Sequence, residues 1–197
     1  MSEHDGTSED TRRIYSGKVV QLDLSRVTLP NGVVTELELV RHPGGSAVVA
    51  LDEQGFVCLL RQYRHAVEGW LWELPAGKIE NREPPRETAR RELADEAGVS
   101  AREWHSLGQV VSSPGVFCEV IHLWLARDLT TVARAPEEDE LLEVHWLPWE
   151  VAWSMAVDGK IRDGKTLAGL LRAQPFLDGV SEDPLAAGQA MTTVEES

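Results

Sequence analysis

Glu92 and Glu96, with Asp95 and Thr88 beside them, have the types and spacing to hold a cation; they lie in the stretch Gly77–Val99, GKIENREPPRETARRELADEAGV. On a helix, residues four apart sit side by side one turn away from each other. Two carboxylates so placed repel, and something positive is needed between them: the adjacent Arg90 and Arg91, or a divalent ion. Hard cations such as Mg²⁺ take oxygen ligands and keep waters and substrate phosphates in their shell. The plain alternative is a solvated, salt-bridged helix face. The local signals for a helix are good. Pro84-Pro85 suit a first turn and Gly98 the position just past the end, so the helix is predicted from about Pro84 to Ala97, with Glu83 near its N-cap. Ala89, Leu93 and Ala97 form a narrow apolar seam that would pack on a sheet.

The same stretch resembles the Nudix box, G-x5-E-x7-R-E-U-x-E-E-x-G-U, where U is a bulky aliphatic residue. Gly77, Glu83, Arg91, Glu92, Leu93, Glu96, Gly98 and Val99 fall on the pattern, and Asp95 replaces the first Glu of its E-E pair. The resemblance implies that Glu92 and Glu96 are the essential metal ligands and that the Ala76 carbonyl joins them. Arg91 is expected to orient the helix carboxylates, the alternative being a contact with substrate. Within that family the chain is similar to ADP-ribose pyrophosphatases from about Leu39 to Ala173. The likeness is carried by Val40–Gly44, Arg61–Arg64, Glu73–Gly77, Ser113–Gly115 and Asp158–Thr166, and Pro114 stands about fifteen residues beyond the box.

A Nudix α/β/α sandwich with a mixed sheet, of the α+β class, is therefore expected, preceded by an antiparallel β unit. The implied reaction is Mg²⁺-dependent hydrolysis of the pyrophosphate bond of ADP-ribose, with Mn²⁺ as the alternative metal. GDP-mannose or a similar sugar nucleotide is the alternative substrate, and a non-catalytic nucleotide sensor a third reading. Such hydrolysis needs charge neutralisation, an activated water and a stabilised leaving phosphate, which two or three metal ions would largely supply. A further carboxylate must take the water's proton. The acidic loop Pro136–Glu140 offers Glu138 as base and Glu140 as a transient metal ligand, by analogy with an E-x-E in similar enzymes. Arg41 and Arg64 are candidate phosphate or ribose contacts, because guanidinium binds phosphate bidentately. Pro114 and Gly115 are candidate substrate residues. Tyr15, Tyr63 and Phe117 all stay open as the aromatic against the base.

The rest of the chain must position this stretch. Its 197 residues allow one domain with a small appendage, and 42% hydrophobic content with seven Trp speaks for a folded core. A net charge of −14 argues against nucleic acid or an anionic membrane as partner. Cys58 and Cys118 lie in apolar runs and are expected to be reduced core residues of a cytoplasmic protein. The six His have no metal-ligand spacing, which disfavours zinc. Residues 1–11 and 176–197 are expected to be flexible tails. Residues 12–42 read as an antiparallel β unit turning at Pro30-Asn31-Gly32, and the resemblance makes it a dimerisation element, swapped or not, of a homodimer. Residues 43–175 read as the catalytic domain. It holds apolar strands at Ser46–Leu51, Gly55–Arg61, Trp70–Leu74, Trp104–Ser112, Glu119–Ala126 and Leu141–Leu147. Helices are expected from Pro148 to Val157 and from Lys165 to Ala173. Trp72, Trp124 and Trp146 read as core. Gly159–Thr166 fits the phosphate-loop expression G-x4-G-K-T, but a helical run precedes it where a buried strand is required, so it reads as a linker.

Overall fold

The computed structural model describes residues 7–136 and 140–177, in two compact units. Of the described residues, the first takes those up to Gly44 and adds Val111–Val120; the second holds Gly45–Val110 and those from Ile121 onward.

In the first unit, β1 (Thr7–Ser16), β2 (Gln21–Thr28) and β3 (Val34–Arg41) form an antiparallel sheet in that order. The expected turn closes β2 onto β3, with Gly32 at φ 81° and its N–H bonded to Leu29 O at 2.8 Å. The flexible tail expected over residues 1–11 is corrected from Thr7 onward, because those residues are already in β1. Their polarity hid the strand, since a ladder draws on backbone groups rather than apolar side chains. Polar pairs also serve it: the Thr11 and Ser25 hydroxyls meet at 3.1 Å, and Arg13 is bonded to Asp23. Val111–Val120 joins this unit because Val40 N–H donates to Val116 O at 2.8 Å and Cys118 N–H to Val40 O at 2.9 Å. Cys118 is therefore a half-buried loop residue, not a core one.

The second unit is built on β4 (Gly45–Ala50), every residue of which is buried. Around it lie β5 (Phe56–Arg64), β6 (Gly69–Glu73), β7 (Ala76–Lys78), β8 (Val99–Val111), β9 (Val120–Thr131) and β10 (Leu142–Pro148). They form two sheets, ordered β7-β4-β9-β8 and β10-β5-β6. The first is mixed, with β4 parallel to β9 and antiparallel to β7. Strand alternation sends Ala47, Val49, Val57 and Leu59 into one core, with α2 (Trp149–Val157) and α3 (Gly164–Leu177). Val48, Ala50, Cys58 and Leu60 go into the other, with Ala89, Leu93 and Ala97 of α1 (Pro85–Ala97). The predicted seam of α1 is thus its buried face, and the α/β/α arrangement is as expected. Trp72 packs on the first core, Trp124 and Trp146 on the second.

Three boundaries differ. β8 starts directly after Gly98 and not at Trp104, because Val99 is already buried in the α1 core. α3 continues to Leu177 through Pro175, held by Gln174 Oε1 accepting from Trp149 Nε1 at 2.8 Å and by Phe176 and Leu177 packing on the core. The tail expected from residue 176 therefore begins no earlier than the end of this helix. Gly159–Thr166 follows helix α2, so no strand delivers it. Among the described residues no helix is long and apolar enough to cross a membrane.

Candidate active site

The site starts from how α1 is anchored. Pro84 is its N-cap, without any side-chain cap. Glu83, expected near that cap, instead accepts from Thr88 Oγ1 at 2.9 Å and from Arg91 Nη2 at 2.8 Å. Arg91 also donates from Nη1 to Glu92 Oε1 at 2.7 Å. This guanidinium bridges two box carboxylates, Glu83 and Glu92.

Glu92 and Glu96 are buried, at 8% and 1% exposure, on the flank of the helix next to its apolar seam. Glu96 Oε2 accepts the Ala76 backbone N–H at 2.8 Å, which ties the start of β7 to the helix. Gly77 is required by space: a Cβ there would stand 1.8 Å from Glu92 Oε1. The glycine of the box is thus the hollow that receives the Glu92 carboxylate.

Burial is the main cause that pushes the Glu96 carboxyl up, to about 8, against the Ala76 hydrogen bond, and the charges of Glu92 and Glu140 push the same way. Burial likewise raises Glu92 above the ordinary carboxylate range, opposed by Arg91 and aided by Glu140. Two buried carboxylates with a third acidic group acting on both are a donor set that a divalent cation would relieve. Among the described residues no three His, Cys, Asp or Glu side chains already converge as a finished cage. The remaining ligands of a hard cation would be backbone oxygen, water and substrate, as suits Mg²⁺.

Arg64, at the end of β5, forks onto Glu73 of β6: Nε to Oε1 at 2.8 Å and Nη2 to Oε2 at 3.0 Å. Its charge reaches the carboxylate site, acting to lower the carboxyl of Glu96. So Arg64, Ala76, Arg91, Glu92, Glu96 and Glu140 are gathered in the second unit. Arg41, Pro114 and Gly115 belong to the first. There Arg41 Nε donates to the buried Asp23 at 3.1 Å, and Gly115 lies in an exposed turn where a Cβ would meet nothing within 4 Å. Glu138 lies outside the described residues. A cavity of about 510 Å³ lined by Leu51, Arg102, Arg127 and Asp128 contains none of the box residues.

The NUDIX domain family model matches residues 41–170. The chain belongs to the Nudix family. A methanol dehydrogenase activator from Bacillus methanolicus is similar to this Nudix chain, 38% identical over 159 residues that cover 80% of the chain and 86% of the relative. An ADP-ribose pyrophosphatase from Bacillus subtilis is 37% identical over 156 residues, covering 78% of the chain and 84% of the relative. A solved structure of an ADP compounds hydrolase matches with a TM-score of 0.77 over 92% of this chain and 98% of that one; at 21% identity this is a likeness of fold. This Nudix chain is a hydrolase of the kind that uses divalent metal ions.

Sequence reading missed the partner of Arg64. A lone carboxylate in the apolar run WLWEL was the available signal, since a buried acid needs a cation.

Proposed function

We propose that this Nudix hydrolase cleaves the pyrophosphate bond of ADP-ribose to AMP and ribose 5-phosphate, with Mg²⁺ held by Glu92, Glu96, the Ala76 carbonyl and Glu140. The observation that carries the reading is the buried Glu92–Glu96 pair, seated against Gly77 and locked by Arg91 and the Ala76 N–H. The substrate choice is supported by the 37% identical ADP-ribose pyrophosphatase. When bound, the metal would neutralise phosphate charge and acidify the attacking water.

The chain's own residues supply the rest. The water oxygen bonds to one phosphorus, the bridging P–O bond breaks, and the water's proton passes to a carboxylate, which we assign to Glu138. Arg91 keeps Glu92 in one rotamer, and the Ala76 N–H does the same for Glu96. Arg41 and Arg64 are the phosphate or ribose contacts we assign, and Pro114 and Gly115 are assigned to the substrate. The enzyme acts as a cytoplasmic homodimer with neither nucleic acid nor membrane as partner.

The test is product release from ADP-ribose, GDP-mannose and a nucleoside triphosphate offered side by side with Mg²⁺ or Mn²⁺. ADP-ribose should turn over fastest, releasing AMP. Glu96→Gln should lower kcat by about a hundredfold or more, the scale for losing a principal electrostatic group. Faster hydrolysis of GDP-mannose would replace the substrate. No turnover with either metal would leave a binding role only.

A further inference from the structure

The stretch that imitates a phosphate loop ends in Lys165-Thr166, at the start of α3, and both residues reach back to the strand that precedes the box. Lys165 Nζ donates to Glu73 Oε2 at 2.5 Å and lies 3.1 Å from Asp163 Oδ1. Thr166 Oγ1 accepts the Leu74 N–H at 2.9 Å. Asp163 is bonded by the Thr166 N–H at 3.0 Å and by its hydroxyl, so the helix start answers that carboxylate. A Cβ on Gly169 would lie 2.6 Å from Leu74 Cδ1, so α3 is seated as closely as a glycine allows.

Thr166 and Gly169 already dock the helix, and an apolar side chain at 165 would dock it as well. The ammonium there, only 13% exposed, has another effect: it shares the Glu73 carboxylate with Arg64. Glu73 Oε1 receives Arg64 Nε, and Oε2 receives both Arg64 Nη2 and Lys165 Nζ. Three donors on two oxygens fix the plane of the carboxylate, and the carboxylate fixes the plane of the guanidinium. Lys165 is itself paired with Asp163 at 3.1 Å, so what it adds is alignment: Arg64 Nε and Nη2 are fixed on Glu73, and Nη1, which takes no part in the fork, is held in one direction toward another anion. Burial would raise the Glu73 carboxyl, yet its bonds to Arg64 and Lys165 hold it down at about 2, so it is a permanent anion for both cations.

We infer that Lys165 is a positioning residue: through Glu73 it aligns Arg64 for the substrate diphosphate. This rests on the proposed pyrophosphatase reading. The experiment is a double-mutant cycle of Lys165→Met and Arg64→Gln on the full chain, with steady-state hydrolysis of ADP-ribose as one readout. The other is the Arg64 Nε–H signal in ¹⁵N spectra, assigned by its loss in Arg64→Gln. Lys165→Met should raise KM about tenfold, with the smaller effect on kcat, and Lys165→Arg should restore KM to within about threefold. On the Arg64→Gln background Lys165→Met should add little, as expected for residues acting through one network. Equal KM effects on both backgrounds would overturn the inference while leaving the pyrophosphatase intact. If the wild type fails to hydrolyse ADP-ribose, the functional reading falls, and the Arg64 signal decides the positioning role: moved by Lys165→Met it stands, unmoved it falls. Should Lys165→Met not fold, Lys165→Gln takes its place in the same cycle, and the same KM and Arg64 signal changes decide.

Discussion

At the scale of single residues, the site is defined by what its carboxylates touch. Gly77 has no left-handed backbone to accommodate; only the Glu92 carboxylate requires it. Gly77→Ala should therefore push Glu92 out of its hollow and lower kcat about a hundredfold, on the scale of losing one metal ligand. Thermal stability should hold nearly unchanged, because the displaced side chain is a charged group leaving burial. Activity titrated against Mg²⁺ should show the midpoint moving to higher metal; an unmoved midpoint would mean that Glu92 is not a ligand. Glu96 gives a pH signature. Its carboxyl is raised from 4.5 to about 8 on folding, so between those values the folded chain binds a proton that the unfolded chain has lost. Stability of the metal-free protein should therefore fall as pH rises through that window. A cation displaces the proton, so Mg²⁺ should raise Tm more at pH 8 than at about pH 5. Melting curves with chelator and with Mg²⁺ check this, and Glu96→Gln should flatten the metal-free slope. A metal-free Tm independent of pH would contradict the electrostatics argued for the pair.

At the scale of elements, α1 is held from both ends. Its C-terminus closes on Gly98 at φ 71°, whose N–H bonds to Ala94 O at 3.0 Å. The chain then returns to it: Arg134 Nε donates to Glu96 O at 2.7 Å, and Ala135 N–H to Asp95 O at 3.2 Å. These bonds seat the chain leading into the acidic loop on the helix that carries Glu96. Gly98 serves both needs, since a Cβ would be strained by its φ and would stand 2.6 Å from Arg134 Cγ. Gly98→Ala should cost about 1–3 kcal/mol, read by denaturant unfolding. A loss below about half a kcal/mol would show that the cap and the Arg134 seat are not coupled. How much of this was legible in the sequence differs by element, for physical reasons. Helix α1 was legible because its box pattern, its Pro and Gly boundaries and its apolar seam agree. Helix α2 was legible from Pro148 and its periodicity. Strand β1 was not, because it is paired through its backbone and through polar contacts such as Arg13 with Asp23. The Arg64–Glu73 fork was not, because it depends on the register of β5 against β6, which side-chain types do not specify.

For the whole molecule, the split into two units places the expected site residues in two groups and raises the question of assembly. The alliance of Val111–Val120 with β3 was illegible because it is a non-local backbone pairing. The first unit exposes Ile14, Tyr15, Val34 and Leu37, at 36% to 58%, on a three-stranded sheet. A small sheet with uncovered apolar side chains gains by burying them against a second copy. Charge opposes that gain: two chains at −14 each bring −28 together, and like charge at long range is screened by salt. Apolar burial is barely affected by moderate salt. The proposed homodimer should accordingly tighten as ionic strength rises, the reverse of a pair held by salt bridges. Light scattering on eluted protein should give about twice the 21.8 kDa chain mass, with the dimer persisting to lower protein concentration at about 0.5 M salt than at 0.02 M. Tyr15→Asp with Val34→Asp, which the register puts on one face of the sheet, should shift the mass to that of one chain, since each buries a charge in the interface without a partner. A dimer that survives both substitutions would place the interface elsewhere. One that loosens as salt is added would be held by charge pairs rather than by apolar burial.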